Sequence, residues 1–131
     1  AFVVAPPVLL PGGEIIVFVG DASALCVLGL DPDDHPLVSA TREAGRVSPR
    51  PATISCAERA WIVWLDDARQ LRAMSVSWQG WIDVRPPVDV PGLAPGEAGE
   101  AQLAIGCGGD EVAAVLVRGS DAFFARWPTH R

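Results

Sequence analysis

The stretch that most limits the fold is WIVWLDDARQLRAMSVSWQGW, from Trp61 to Trp81. WIVWL is five apolar residues in a row, β-branched and aromatic. It is too short for a helix and has no polar side chain on either face of a strand. Such a strand is buried on both faces, which places it inside a layered structure. Asp66, Asp67 and Ala68 then supply turn chemistry, and Leu71 to Trp78 resumes as a second strand. With a period of two, Arg72, Met74, Val76 and Trp78 share one face, and Leu71, Ala73, Ser75 and Ser77 the other. One face is bulky and the other small, a match for close contact with another sheet. Gln79 and Gly80 form a second tight connection and WIDV, from Trp81, a short third strand, so the unit reads as a three-stranded meander.

Weaker copies of this unit lie on both sides, and self-similarity changes the fold expectation. Upstream, GGEIIVFVGDASALCVLGL sets Ile15, Val17 and Val19 against Trp61, Val63 and Leu65, with Asp21 under Asp67 and Leu25 under Leu71. Downstream, GGDEVAAVLVRGSDAFFARW repeats the pattern with one more turn residue, Val112 standing for Trp61 and Phe123 for Leu71. Each hairpin is preceded by an apolar segment: VVAPPVLL, ATISC and AQLAIGC. The chain therefore reads as a single all-β domain, 1–131, of three repeats near 1–50, 51–95 and 96–131. Each repeat is a four-stranded antiparallel meander of the size of a β-propeller blade. A β-sandwich of three hairpins and a β-trefoil are the fold alternatives.

Charge narrows the partners. The formal charge is −6, from 16 acidic and 10 basic residues, and every basic residue is Arg. An acidic chain without Lys lacks the phosphate-neutralising charge that nucleic-acid binding needs, so no nucleic-acid partner is expected. No apolar run is long enough to span a bilayer as a helix. Cys26, Cys56 and Cys107 cannot all pair within one chain, and Cys56 and Cys107 both close the first strand of their repeats. Equivalent buried structural thiols are the expectation, ahead of a metal site or a disulfide.

Two polar segments punctuate the repeats. DPDDH, Asp31 to His35, groups oxygen and nitrogen ligands, but it has no central Gly and no closing Glu of an EF-hand loop. It reads as an acidic turn after a strand ending at Leu30, and no metal or other cofactor is expected. TREAGRVSPRP, with Arg42, Arg46 and Arg50, reads as an exposed connection, because Gly45 and Pro49 oppose a helix. RPPVDVPGLAPGEAGE, from Arg85, excludes a central strand or a regular helix and reads as a long rim connection between repeats. No fourth strand is expected for the third repeat after Trp127.

AVLVRGSDAFFARW, Ala114 to Trp127, resembles a blade core of the bacterial and fungal propeller lectins, with Val117, Arg118, Gly119, Asp121 and Trp127 at the matching positions. Val63, Trp64, Asp67 and the SWQGW ending at Trp81 are similar to the same pattern in the middle repeat. The resemblance implies a propeller fold and a sugar gripped by Arg, acidic and Trp side chains of adjacent blades.

The chemistry available for such a ligand is Trp78, Trp81, Trp127, Arg72 and Arg126. Aromatic faces stack on sugar rings, and guanidinium groups fork hydrogen bonds to vicinal hydroxyls. Trp is also ordinary packing mass in a small β domain, so each of these rings has core as its competing role. The expected function is a non-enzymatic, lectin-like carbohydrate-binding module, with a glycan or a protein as ligand. The alternative is a protein-interaction or sensor module of a larger protein, presenting its Pro-rich and Arg-bearing loops. An enzyme is not expected. There is no GxSxG elbow or HExxH helix, and in GCGGDE the carboxylates of Asp110 and Glu111 oppose formation of a thiolate at Cys107. Three blades are too few to close a ring, so a homo-oligomer or a place in a larger propeller is expected, with Phe2 to Val4 able to complete an unfinished blade.

Overall fold

The computed structural model of the chain describes residues 3–20, 24–43, 50–92 and 101–130, and all regular structure among them is β-strand. The first sheet is built on β3 (Ile15–Gly20), β4 (Ala24–Leu30) and β5 (Pro36–Glu43), with β1 (Val3–Val4) and β2 (Val8–Leu9) both paired to the free side of β3. The second runs β6 (Ala52–Cys56), β7 (Arg59–Leu65), β8 (Gln70–Val76), with β9 (Ile82–Val84) and β10 (Val88–Asp89) both on the far side of β8. The third is β11 (Gln102–Cys107), β12 (Glu111–Arg118) and β13 (Asp121–Pro128). Every pairing is antiparallel. Two of the edge strands are split in two by a proline pair: Pro6 and Pro7 divide β1 from β2, and Pro86 and Pro87 divide β9 from β10. Proline cannot donate to a ladder, and an edge is where that loss is tolerated.

One five-residue turn closes four of the hairpins. In Leu10–Glu14, Asp31–His35, Asp66–Gln70 and Ser77–Trp81 the first N–H donates to the fifth carbonyl and the fourth N–H to the first carbonyl. The fourth residue is left-handed each time: Gly13 (φ 92°), Asp34 (64°), Arg69 (61°) and Gly80 (90°). This is the three-residue loop whose last residue must take positive φ, a demand that Gly meets without strain. Asp31 and Asp66 stabilise their turns further, each Oδ1 accepting the N–H groups two and four residues on at 2.8–2.9 Å. The β6–β7 turn is tighter, with both Ala57 (φ 52°) and Glu58 (φ 62°) left-handed.

The second sheet lies between the other two, which is why WIVWL has no polar residue. Ala60, Ile62, Trp64, Met74 and Val76 point one way and form a core with Ile16, Phe18, Leu25 and Val27 of the first sheet. Trp61, Val63, Leu65, Leu71 and Ala73 point the other way and meet Val112, Ala114, Leu116, Ala125 and Trp127 of the third. The first strands of the sheets are tied together. Thr53 Oγ1 donates to the Pro6 carbonyl at 2.9 Å, and Cys56 forms a disulfide with Cys107, their Cα atoms 5.5 Å apart. The expectation of equivalent free thiols is thus corrected: the side chains of Cys56 and Cys107 leave facing sheets toward each other, and only Cys26 is free.

The turns also correct the register of the repeats. Glu14 closes the β2–β3 turn as Arg59 closes the β6–β7 turn, so Ile16, not Ile15, corresponds to Trp61. Gly108 and Glu111 close the β11–β12 turn as Cys56 and Arg59 close theirs, so Ala113, not Val112, corresponds to Trp61. Arg118 and Asp121 end the β12–β13 ladder where Asp66 and Gln70 end that of β7 and β8, so Phe123 corresponds to Arg72. The pairing of Leu25 with Leu71 stands, because β3–β4 is shorter in its turn by the residue that β2–β3 has gained. A slip of one residue turns every side chain to the opposite face. In the corrected register Ile16, Phe18 and Leu25 look toward the second sheet as Trp61, Val63 and Leu71 look toward the third.

Four further expectations change. Val3–Val4 extends the first strand of its own sheet, with Val3 opposite Gly20 and Val4 opposite Val19, and does not complete the third; Phe2, like Asp21, lies outside the described residues. No sheet among the described residues closes into a barrel, which leaves the β-trefoil without its central element. A sandwich has two layers where this stack has three. Pro36–Glu43 is a full strand that runs into the connection read from Thr41, and residues 44–49 of that connection and 93–100 of the Pro-rich one lie outside the described residues.

Candidate functional site

Trp78 and Trp81 stand on the Ser77–Trp81 turn between β8 and β9, 48% and 72% exposed. β8 ends at Val76, so Trp78 belongs to the turn and not to the face that carries Met74 and Val76. The turn is firmly held. Ser77 is buried, its Oγ accepts the Trp81 N–H at 3.2 Å, and Arg59 donates from Nη2 to the Trp81 carbonyl at 2.7 Å. Two large rings are thus presented to solvent on backbone fixed at both ends.

Beneath Trp81 lies a polar cluster that the sequence reading did not single out. Arg59 also donates from Nε to Ser75 Oγ at 2.9 Å and from Nη2 to the Ser75 carbonyl at 3.2 Å. The ladder sets Trp61 opposite Ser75 and Ser75 opposite Asp83 on one face. Arg85, 5% exposed, places Nε 2.8 Å from Asp83 Oδ2 and its guanidinium 5.3 Å from the centre of the Trp61 ring. That contact with Asp83 is short without the alignment of a hydrogen bond, so it acts as an ion pair. Burial lowers the Arg59 pKa, opposed by the Asp83 carboxylate and reinforced by the neighbouring Arg85 charge. Two guanidinium groups and one carboxylate thus share the face of the second sheet that carries Trp61. The signal in the sequence was Arg59 at the head of an otherwise apolar strand, and Asp83 and Arg85 alternating in IDVR.

The other predicted residues lie elsewhere. Trp127 is 4% exposed within the second core and has no ring face to offer, so it leaves the ligand set. Arg72 is largely buried on the face toward the first sheet, 5.8 Å from the centre of the Trp64 ring and 3.9 Å from Asp66 Oδ2. Its charge supports a ring and a turn. Arg126 is exposed on the outer face of the third sheet, 3.8 Å from Glu111 Oε1. The fold therefore joins Trp78 with Trp81 and separates both from Arg72, Arg126 and Trp127.

An acidic turn follows β4, as expected. Asp31, Asp33 and His35 bring ligand atoms within 4.8 Å of one another. The Asp31 carboxylate serves the turn: Oδ1 accepts two N–H groups, and Oδ2 lies 3.3 Å from His35 Nδ1. The backbone bond from His35 is the main reason that the Asp31 pKa falls below 3.8, aided by Asp33 N–H and the His35 ring against a desolvation that raises it. GCGGDE is the β11–β12 hairpin, and its Cys107 sulfur is committed to the disulfide.

No protein-family model, curated protein or solved structure was found to match this chain.

Proposed function

We propose that the chain is a non-enzymatic, carbohydrate-binding module made of β-propeller blades, with the sugar received by Trp78 and Trp81. The observation that carries this reading is the pair of exposed indoles on one hydrogen-bonded turn above a cluster of two guanidiniums and a carboxylate. A sugar needs an apolar platform for its C–H face, which the two exposed indoles offer, and Arg59 beneath them holds the backbone of Trp81 in place. Holding the indoles on fixed backbone lowers the entropy lost on binding. The blade reading is supported by head-to-tail stacking of three antiparallel meanders whose first strands lie together, linked by the Thr53–Pro6 bond and the disulfide.

Exposed Trp on a rigid turn is also the chemistry of a protein-binding hot spot, which keeps an interaction module as the second reading. A glycan array probed with the wild-type chain and with Trp81→Ala separates the two. Binding that is lost in Trp81→Ala supports the carbohydrate reading. Silence of the wild-type chain across the array overturns it and favours a protein ligand.

A further inference from the structure

The corrected register gives the stack a direction. The first sheet turns Ile16, Phe18, Leu25 and Val27 toward the second, and the second turns the corresponding Trp61, Val63 and Leu71 toward the third. The two outer faces are therefore different in kind. On the first sheet the outer face carries Val17, Val19 and Leu28, which correspond to Ile62, Trp64 and Met74 of the buried interface. On the third sheet it carries Val115, Val117 and Phe124, which correspond to Val63, Leu65 and Ala73. Each outer face thus repeats one half of a contact that the chain already makes twice.

Each face exposes a large apolar side chain at its centre. Phe124 is 72% and Leu28 42% exposed, each paired across the ladder with a valine, Val115 and Val17.

From these observations we infer that the outer face of the third sheet seats on the outer face of the first sheet of a second copy of this chain, and that two copies close into a ring of six sheets. The inference rests on the blade reading above and not on the ligand. Head-to-tail contacts close when the rotation per unit completes a circle. Propeller rings hold about four to eight blades, and with three sheets per chain two copies are the number that falls in that range. Three strands of about seven residues, at a spacing of ~4.8 Å and a rise of ~3.3 Å, cover roughly 330 Å² per face. Two such contacts bury on the order of 1,300 Å² in all, enough for a specific interface.

Light scattering of the 131-residue chain at micromolar concentration tests this, with an expected mass about twice 13.8 kDa. Phe124→Glu and Leu28→Glu should each bring the mass down to one chain while circular dichroism stays that of a β protein. Val117→Lys provides a second variant on the third sheet should Phe124→Glu not fold. A wild-type chain that remains a single copy overturns the inference and assigns the faces to further sheets of a longer polypeptide. A dimer that survives substitution on either face overturns the head-to-tail contact, and assemblies larger than two overturn the closed ring. The ligand reading is judged separately, since a monomer that still binds a glycan defeats only the assembly.

Discussion

Trp64→Ala is the sharpest probe of the layered packing. Trp64 is 1% exposed at the centre of the first core, on the face of β7 that carries Ala60 and Ile62, with Met74 and Val76 of β8 in the same cluster. Truncating a buried Trp costs about 3–5 kcal/mol through lost transfer energy and the cavity left behind. The Arg72 guanidinium, 5.8 Å from the ring centre, adds roughly 0.5–1 kcal/mol of cation–π attraction that is lost with it. Against a total stability of about 5–15 kcal/mol for a domain of this kind, the loss is a large share of the total and at the lower end of that range unfolds the chain. Urea denaturation followed by far-UV circular dichroism measures the effect. With a slope of about 1–3 kcal/mol per M, the midpoint should fall by roughly 1 M or more. Trp81→Ala, at an exposed turn position, should change stability by only about 0.5 kcal/mol. A loss below about 1 kcal/mol for Trp64→Ala, or equal losses for both variants, contradicts a central second sheet.

The disulfide closes a separation of 51 residues, for which loop-closure entropy gives about 4 kcal/mol, so Cys56→Ala with Cys107→Ala should unfold at distinctly lower urea than the oxidised wild type, and added reductant should lower the wild type in the same way. Asp66→Ala removes the acceptor of the Ala68 and Gln70 N–H groups and one partner of Arg72, and should cost about 1–3 kcal/mol by the same assay, with Asp66→Asn recovering part of it. Asp31 has a folded pKa below its unfolded value, so its contribution is present above the ordinary carboxylate range and is lost as pH falls through the folded pKa; an acid titration of wild type against Asp31→Ala should show the two stabilities converging below pH 3.8.

Much of the architecture was legible from local chemistry. Five apolar residues in a row at Trp61 required a strand covered on both sides, and Asp66 and Asp31 announced turns because a short carboxylate at the first position can satisfy two N–H groups. What stayed hidden depended on facts of loop length and partnership. The first and middle repeats align by sequence with a one-residue error, because β2–β3 turns in three residues and β6–β7 in two, and this slip inverts which face is which. β5 escaped notice because PLVSATRE, at a sheet edge, lacks the apolar run that marked β7. Cys56 and Cys107 sit at the ends of similar strands, yet it is the facing of those strands across two sheets that joins them. Of the candidate ligand residues, the pattern could not separate the exposed Trp78 and Trp81 from the buried Trp127, since burial of a ring is decided by the neighbouring sheet. Arg59, Asp83 and Arg85 were invisible as a group because three strands bring them together.

The five indole N–H signals of the chain give the most direct reading of the proposed site. In a ¹H–¹⁵N NMR titration with a glycan, the account predicts that the Trp78 and Trp81 signals shift together in a saturable manner, while those of Trp61, Trp64 and Trp127 stay in place. Shifts centred on Trp127 or Trp64, or a bound glycan that leaves Trp78 and Trp81 unmoved, would contradict it.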